Sequence, residues 1–219
     1  MLAERIVFTK TNPIKIVMDE GEHRILGDDD YGQMLVTCSN ISFIGKGPGK
    51  TFVLGGFMVE DQNNVMFQQF NLSNTVLYGH GFFLHQNADG EIVDCVAQQC
   101  SGNGLCVQNG SNVTATRCKF MENDQNGVSF HGANTEARLN DCMMHHNGSD
   151  GLAADHAVVD LHGTKTGIHS NKMGGINAYR NAKVNIHLPS QHNTSHDNVE
   201  EDRRQWGGGS IVNTEDETL

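Results

Sequence analysis

Proline is nearly missing from this 219-residue chain, with 3 residues, and aromatic side chains make up only 6% of it. Few turns are therefore set by a proline ring, and the core must be built mainly from aliphatic and small residues. Basic residues are scarce as well: 15 Lys and Arg against 26 Asp and Glu leave a formal charge of -11. Such a surface repels a phosphate backbone at long range, and no local basic stripe compensates, so no nucleic-acid partner is expected. No apolar run approaches the ~18 residues of a membrane span. The first ten residues, Met1 to Lys10, lack the apolar segment and small-residue cleavage site of a secretory signal, so a soluble chain with no membrane partner is expected.

What the chain does have is glycine, 25 residues of it, placed with a period. Glycine followed by an apolar residue opens Gly81-Phe-Phe-Leu, Gly104-Leu-Cys-Val, Gly127-Val-Ser-Phe, Gly151-Leu-Ala-Ala and Gly175-Ile-Asn-Ala, at spacings of 23, 23, 24 and 24 residues. Four residues before the later glycines stand Cys100, Asn123, Asn147 and Asn171, and Asn198 lies where the next turn is due. Asparagine tolerates left-handed backbone geometry, and its amide can bond to the same amide one repeat away, which predicts an asparagine ladder. Each repeat also carries an alternating segment, among them Val113-Thr-Ala-Thr, Ala137-Arg-Leu-Asn and Val159-Asp-Leu-His. Period two places Val113 with Ala115, Ala137 with Leu139, and Val159 with Leu161 on one inward face.

Strands that recur once per short repeat, with no helix between them, must pair with their own copies in the next repeat. The expected fold is all-β, a right-handed parallel β-helix solenoid with coils of about 23–24 residues, the handedness following from the bias of parallel crossovers. One domain is expected over residues 1–198, with looser first coils in 1–80 and regular coils in 81–198, followed by a C-terminal cap and acidic tail in 199–219. Cys95, Cys118 and Cys142 recur at the coil spacing and read as buried, unpaired, inward-facing thiols, which slightly favours a reducing, cytoplasmic compartment.

The segment Ile41-Ser-Phe-Ile-Gly-Lys-Gly-Pro-Gly-Lys-Thr, the segment Asn64-Val-Met-Phe-Gln-Gln-Phe-Asn-Leu-Ser-Asn and the glycine-led coils resemble right-handed parallel β-helix repeat proteins of the pectin-lyase-like superfamily, over roughly residues 14–198. The resemblance implies the fold; it implies no single activity, because that superfamily holds lyases, hydrolases, epimerases, tailspikes and proteins without known activity. The motifs of its enzymes do not carry over. Gly79-His-Gly81 stands alone without the other polygalacturonase motifs, and none of Pro13, Pro48 and Pro189 lies in the Asp-Pro-His context of uronan epimerases. Asp94, Asp141 and Asp160 stand among neutral neighbours rather than in the acidic calcium cluster of pectate lyases, so no calcium site and no cofactor is expected.

Four residues after each glycine stand His85, Gln108, His131, Asp155 and Tyr179, with His156 and Arg180 next to the last two. These form a polar stripe along one sheet edge, the expected ligand-binding line. Within it His131, Asp155, Tyr179 and Arg180 are the residue types that can move a proton beside a sugar carboxylate and neutralise that carboxylate, so they are the weak catalytic candidates. A second line holds Met121, His145, His169 and His196, with His146 alongside; stacked imidazoles are weak metal candidates because straight ladders hold ligands side by side rather than converging. His162 and His187 form a similar pair. Cys106, in line with Phe83, Ser129, Ala153 and Asn177, has no adjacent base to make it a nucleophile. Trp206, beside Arg203 and Arg204, is expected to cover an exposed core end, and Phe70, Phe82 and Phe120 to be core.

Two functions stand against each other on this reading. The first is a non-catalytic solenoid, structural or presenting a ladder surface to a glycan or protein partner, with self-association through its faces or ends left open. The second is a polysaccharide lyase or uronate epimerase acting on an acidic glycan, which the charge of -11 disfavours.

Overall fold

The computed structural model describes residues 8–25, 30–187 and 194–214, and these contain twenty-five strands and no helix. The strands form three sheets of nine, eight and eight, in which each strand pairs in parallel with its equivalents in the coils before and after it. The chain is thus a parallel β-solenoid of about eight turns.

One sheet is built from the glycine-led strands Phe82–His85, Leu105–Gln108, Val128–His131, Leu152–Asp155 and Ile176–Tyr179, and a second from alternating strands such as Asn112–Thr116, Glu136–Asn140 and Val158–His162. The third was not expected. In its regular coils the strands Val96–Gln98, Lys119–Met121, Met143–His145 and Gly167–His169 are three residues long and each places a single buried side chain inward, Ala97, Phe120, Met144 or Ile168. Upstream, Ile14–Val17, Gly21–Arg24 and Gln33–Val36 enter the same three sheets in register, so the first coils are continuous with the later ones. Downstream, the residues expected to cap the last coil supply its strands instead, Arg203–Trp206 pairing with Ile176–Tyr179 and Ser210–Thr214 with Lys183–His187. The acidic end beyond Thr214 lies outside the described residues.

Single left-handed residues make the two corners that flank the short strands. Asp94, Arg117 and Asp141 turn the chain from the alternating to the short strand, and Glu122, His146, Ser170 and Asp197 turn it out again. The asparagine ladder follows the second corner, so the left-handed geometry falls on the residue before each asparagine and not on the asparagine. Asn123 Nδ2 donates to Asn147 Oδ1 at 3.0 Å, Asn147 to Asn171 at 2.9 Å and Asn171 to Asn198 at 2.8 Å. Each Oδ1 also accepts the backbone N–H of the preceding ladder residue, as Asn171 Oδ1 does from Asn147 at 3.1 Å. Asn123, Asn147 and Asn171 are fully buried, so every donor and acceptor must find a partner inside the solenoid.

The glycines and the asparagines are two sides of one contact. A Cβ on Gly104, Gly127 or Gly151 would lie 2.7 Å from the amide nitrogen of Asn123, Asn147 or Asn171, and 2.8 to 3.0 Å from the carbonyl oxygen of the next glycine in the column. Only a residue without a side chain lets the chain run that close to the ladder.

Inward residues fill the cylinder between the sheets. Phe57, Phe67, Phe70 and Phe82 pack together with ring centroids 4.8 to 6.5 Å apart in the N-terminal coils, and Phe120 and Phe130 continue the core. Each contributes roughly 1.5–3 kcal/mol by leaving water. Cys95, Cys118 and Cys142 are buried and free of disulfides, as the spacing predicts, and their thiols meet carbonyls: Cys118 Sγ donates to Ile92 O at 3.3 Å and Cys142 Sγ to Ala115 O at 3.4 Å.

Candidate functional site

The outward face of the glycine-led sheet carries two columns, because residues two apart on a strand share a face. In the inner column Cys106 pairs with Phe83 and Ser129, and Ala153 with Ser129 and Asn177. In the outer column Gln108 pairs with His131, His131 with Asp155, Asp155 with Tyr179 and Tyr179 with Trp206. Large polar residues therefore stand beside small ones over several coils. The inner column is closed by its own neighbours: the Ser129 hydroxyl hydrogen-bonds the His131 Nε2, and Cys106, Ser129 and Ala153 are buried. Burial pushes the Cys106 thiol up to about 12, which removes it as a nucleophile.

Asp155 is the hub of the outer column. It is 8% exposed, and its Oδ2 lies 2.5 Å from Arg180 Nη2, its Oδ1 2.7 Å from His156 Nδ1, with His131 Nδ1 3.9 Å away. One carboxylate is thus shared by a guanidinium and two imidazoles. Burial, and Arg180 close by, hold the His131 imidazole below its ordinary value against the pull of Asp155, so it is neutral near pH 7. Burial and the Asp155 carboxylate push the Tyr179 phenol up, with Arg180 opposing. Arg180 also lies over the Tyr179 ring, its Cζ 5.1 Å from the centroid.

Trp206 belongs to this column and does not cover the core. Its ring lies 5.1 Å from that of Tyr179 and within 6° of parallel, its Nε1 donates to Asn177 Oδ1 at 3.3 Å, and it is 52% exposed. Asn177 in turn donates to Asp150 Oδ2 at 3.1 Å. Sequence spacing missed Trp206 because the last coil is longer: Asp202, not a glycine, stands one coil after Gly175, bonding through its carbonyl to the N–H of Ile176. Counting four onward from Asp202 reaches Trp206. At the other end His85 stacks on Phe83 at 4.7 Å, with Glu60 3.9 Å from its Nε2.

A second polar ladder, not read from the sequence, borders the same face. Asn126 N and Nδ2 donate to Asn103 Oδ1 at 3.0 and 3.1 Å, Asp150 N donates to Asn126 Oδ1 at 3.0 Å, and Gly174 N donates to Asp150 Oδ1 at 2.8 Å. Its signal was available, since each of these residues directly precedes a glycine-led strand.

His145, His169 and His196 stack in a column along the short-strand sheet, with centroids 5.0 and 5.2 Å apart and rings near parallel. Burial, then His169 and His146, push the His145 imidazole down to about 4. His162 and His187 stand closer, at 3.9 Å, and His187 Nε2 is 2.9 Å from Asp160 Oδ1. Burial of Asp160 opposes its ionisation, but hydrogen bonds from His187 and Asn185 outweigh that and hold its carboxyl below the usual range.

Fold and face together define a parallel β-solenoid with one polar and aromatic column running along its axis. The family model described as right handed beta helix region matches residues 31–195, and the chain belongs to that family. No curated protein matches the chain. Among solved structures it is similar to the A-module of the mannuronan C-5 epimerase AlgE6 of Azotobacter vinelandii, at 13% identity and TM-score 0.37, over 95% of this chain and 92% of that one. It is similar to the A-module of AlgE4 of the same organism, at 13% identity and TM-score 0.34, over 93% and 92%. It is also similar to ORF18 of Geobacillus virus E2, at 10% identity and TM-score 0.41, over 93% of this chain and 54% of that one.

Proposed function

We propose that this chain is a non-catalytic β-helix that binds a linear glycan along the column Gln108, His131, Asp155, Tyr179 and Trp206. The observation that carries the reading is the in-register run from His131 to Trp206, with the half-buried Tyr179 stacked on the exposed Trp206 at one end. A straight column one strand spacing apart offers a polymer repeated contacts. Aromatic rings accept the apolar faces of sugars, and the Asp155, His156 and Arg180 group supplies hydrogen bonds fixed in place before binding.

A polysaccharide lyase or uronate epimerase is the second reading, favoured by the meeting of imidazole, carboxylate, phenol and guanidinium on adjacent coils. Two features count against it. Arg180 is engaged by Asp155 rather than free for a substrate carboxylate, and the raised Tyr179 phenol makes a weak base near neutral pH.

Glycan-array binding run beside an unsaturated-uronate absorbance assay, which reports a lyase, and proton NMR of a polyuronate after incubation, which reports C5 epimerisation, separates the two. Trp206→Ala and Arg180→Ala are expected to weaken binding of an array ligand about tenfold or more, near 1.4 kcal/mol. Tyr179→Phe should shift stability by about 1 kcal/mol or less, whereas Arg180→Ala, which leaves the buried Asp155 carboxylate to His156 and His131, should cost about 1–3 kcal/mol while the chain stays folded by far-UV circular dichroism. Undiminished binding by both Trp206→Ala and Arg180→Ala would remove the column as the site, and absorbance growth on a polyuronate would establish the lyase reading in its place.

A further inference from the structure

On the outward face of the alternating sheet, Asp160 and His162 lie two residues apart on Val158–His162 and so point the same way. Leu161 pairs with Ile186 on the next coil, which sets His187 beside His162. The ligand atoms of these three side chains all lie within 4.8 Å of one another, and among the described residues no other group of three His, Cys, Asp or Glu does so. The Asp160 Oδ1 is 2.9 Å from His187 Nε2 and is held from its other side by Asn185 Nδ2 at 3.0 Å.

We propose that Asp160, His162 and His187 form a binding site for a borderline divalent cation of the zinc, cobalt or nickel type. Ligand atoms around one tetrahedral ion, at about 2.0–2.2 Å from it, lie roughly 3.3 Å apart. The wider of the present separations, up to 4.8 Å, exceed that spacing, so the side chains turn toward a common point when the cation binds. His187 frees its Nε2 for the cation, its proton shifting to Nδ1 or, from the imidazolium, passing to solvent, and the cation takes the place of the hydrogen bond to Asp160. Asn185 supplies the outer hydrogen bond that orients a ligating carboxylate. Two imidazoles with one carboxylate select this class of ion over calcium or magnesium, which take oxygen ligands, and three protein ligands leave a coordination position for water or an incoming group.

The contrast with the other imidazole column is geometric. His145, His169 and His196 repeat at 5.0 and 5.2 Å, one strand spacing, so their ring nitrogens run parallel. His162 and His187 are also stacked, within 14° of parallel, but approach to 3.9 Å, and a carboxylate joins them, with Asp160 Oδ1 2.9 Å from His187 Nε2. The site lies on a different sheet from the proposed glycan column and does not depend on it.

Titration of the tag-free, chelator-treated full chain with cobalt(II), followed by calorimetry and by visible absorption, tests the assignment. The expected result is one saturable equivalent that zinc displaces, with affinity falling about tenfold or more in His162→Ala, in His187→Ala and in Asp160→Asn. His169→Ala should bind as the parent does, and far-UV circular dichroism should show all four variants folded. Asp160→Asn changes shape least and keeps the measurement interpretable if an alanine variant unfolds. Absence of saturable binding, undiminished binding in folded His187→Ala, or loss of binding in His169→Ala would each overturn the site.

Discussion

His80 shows how one side chain on this surface ties stability to pH. Its Nδ1 accepts the backbone N–H of Asn103 at 3.0 Å, its ring meets Phe83 edge-on at 5.4 Å, and burial, then the nearby His131, push it down to about 4. An ordinary imidazole titrates near 6.5, so as pH falls the unfolded chain takes up a proton that the folded chain refuses. Stability from this group is intact above about pH 6.5 and is lost progressively toward pH 4, by at most about 3 kcal/mol. His131 shifts in the same direction and adds to the slope. The denaturation midpoint should therefore be lower at about pH 5 than at about pH 7.5, and His80→Gln should flatten part of that difference. Equal pH slopes in the parent and His80→Gln would show that the ring bears no such load. At this scale the outer column was legible from spacing alone: His131, Asp155 and Tyr179 fall where a count of four from each glycine puts them, with Arg180 one residue further on. What spacing concealed was engagement. That Asp155 binds both His156 and Arg180 depends on rotamers, which no periodicity reveals.

Between coils, the asparagine ladder is the element on which register depends. Asn147 links two neighbours: Asn123 donates to its Oδ1, its own Nδ2 donates to Asn171 Oδ1 and to Phe120 O at 3.1 Å, and it is fully buried. Asn147→Ala leaves the Asn123 backbone N–H without its acceptor and the Asn123 Nδ2 with only Ala97 O at 3.4 Å, and strips Phe120 O and Asn171 Oδ1 of a donor each, away from water. Each buried unsatisfied group costs about 1–3 kcal/mol, so a loss of roughly 3–5 kcal/mol is expected in chemical denaturation. A loss under about 1 kcal/mol would mean that water enters the turn, and the ladder would then be ornamental. The glycine and asparagine columns were readable because each recurs at one fixed offset per coil. The third sheet was not, since a strand of three residues such as Lys119–Met121 buries one side chain, and one buried residue defines no alternation. Its inward residues Ala97, Phe120, Met144 and Ile168 also differ too much in size to be seen as one column.

Over the whole molecule, the charge of -11 sets what a long ladder surface can hold. A rod presents its charge along its length to a polymer lying parallel to it, so repulsion of an anionic chain accumulates coil by coil within the screening distance. That distance is about 10 Å at 0.1 M salt and about 30 Å at 0.01 M. The one guanidinium in the outer column is already paired with Asp155, which leaves little local charge to offset the field. A neutral glycan escapes the penalty, because its contacts with Trp206 and Tyr179 and its hydrogen bonds with the His156–Asp155–Arg180 group are short-ranged. The dissociation constant of a neutral ligand should accordingly change less than about twofold between roughly 20 and 300 mM sodium chloride, while any polyuronate that binds should bind more tightly as salt rises. Affinity for a polyuronate that weakens with added salt would have the opposite sign. It would require a basic contact that outweighs the field of the rod, meaning that Arg180 leaves Asp155 for the ligand, and would move the balance toward the lyase or epimerase reading.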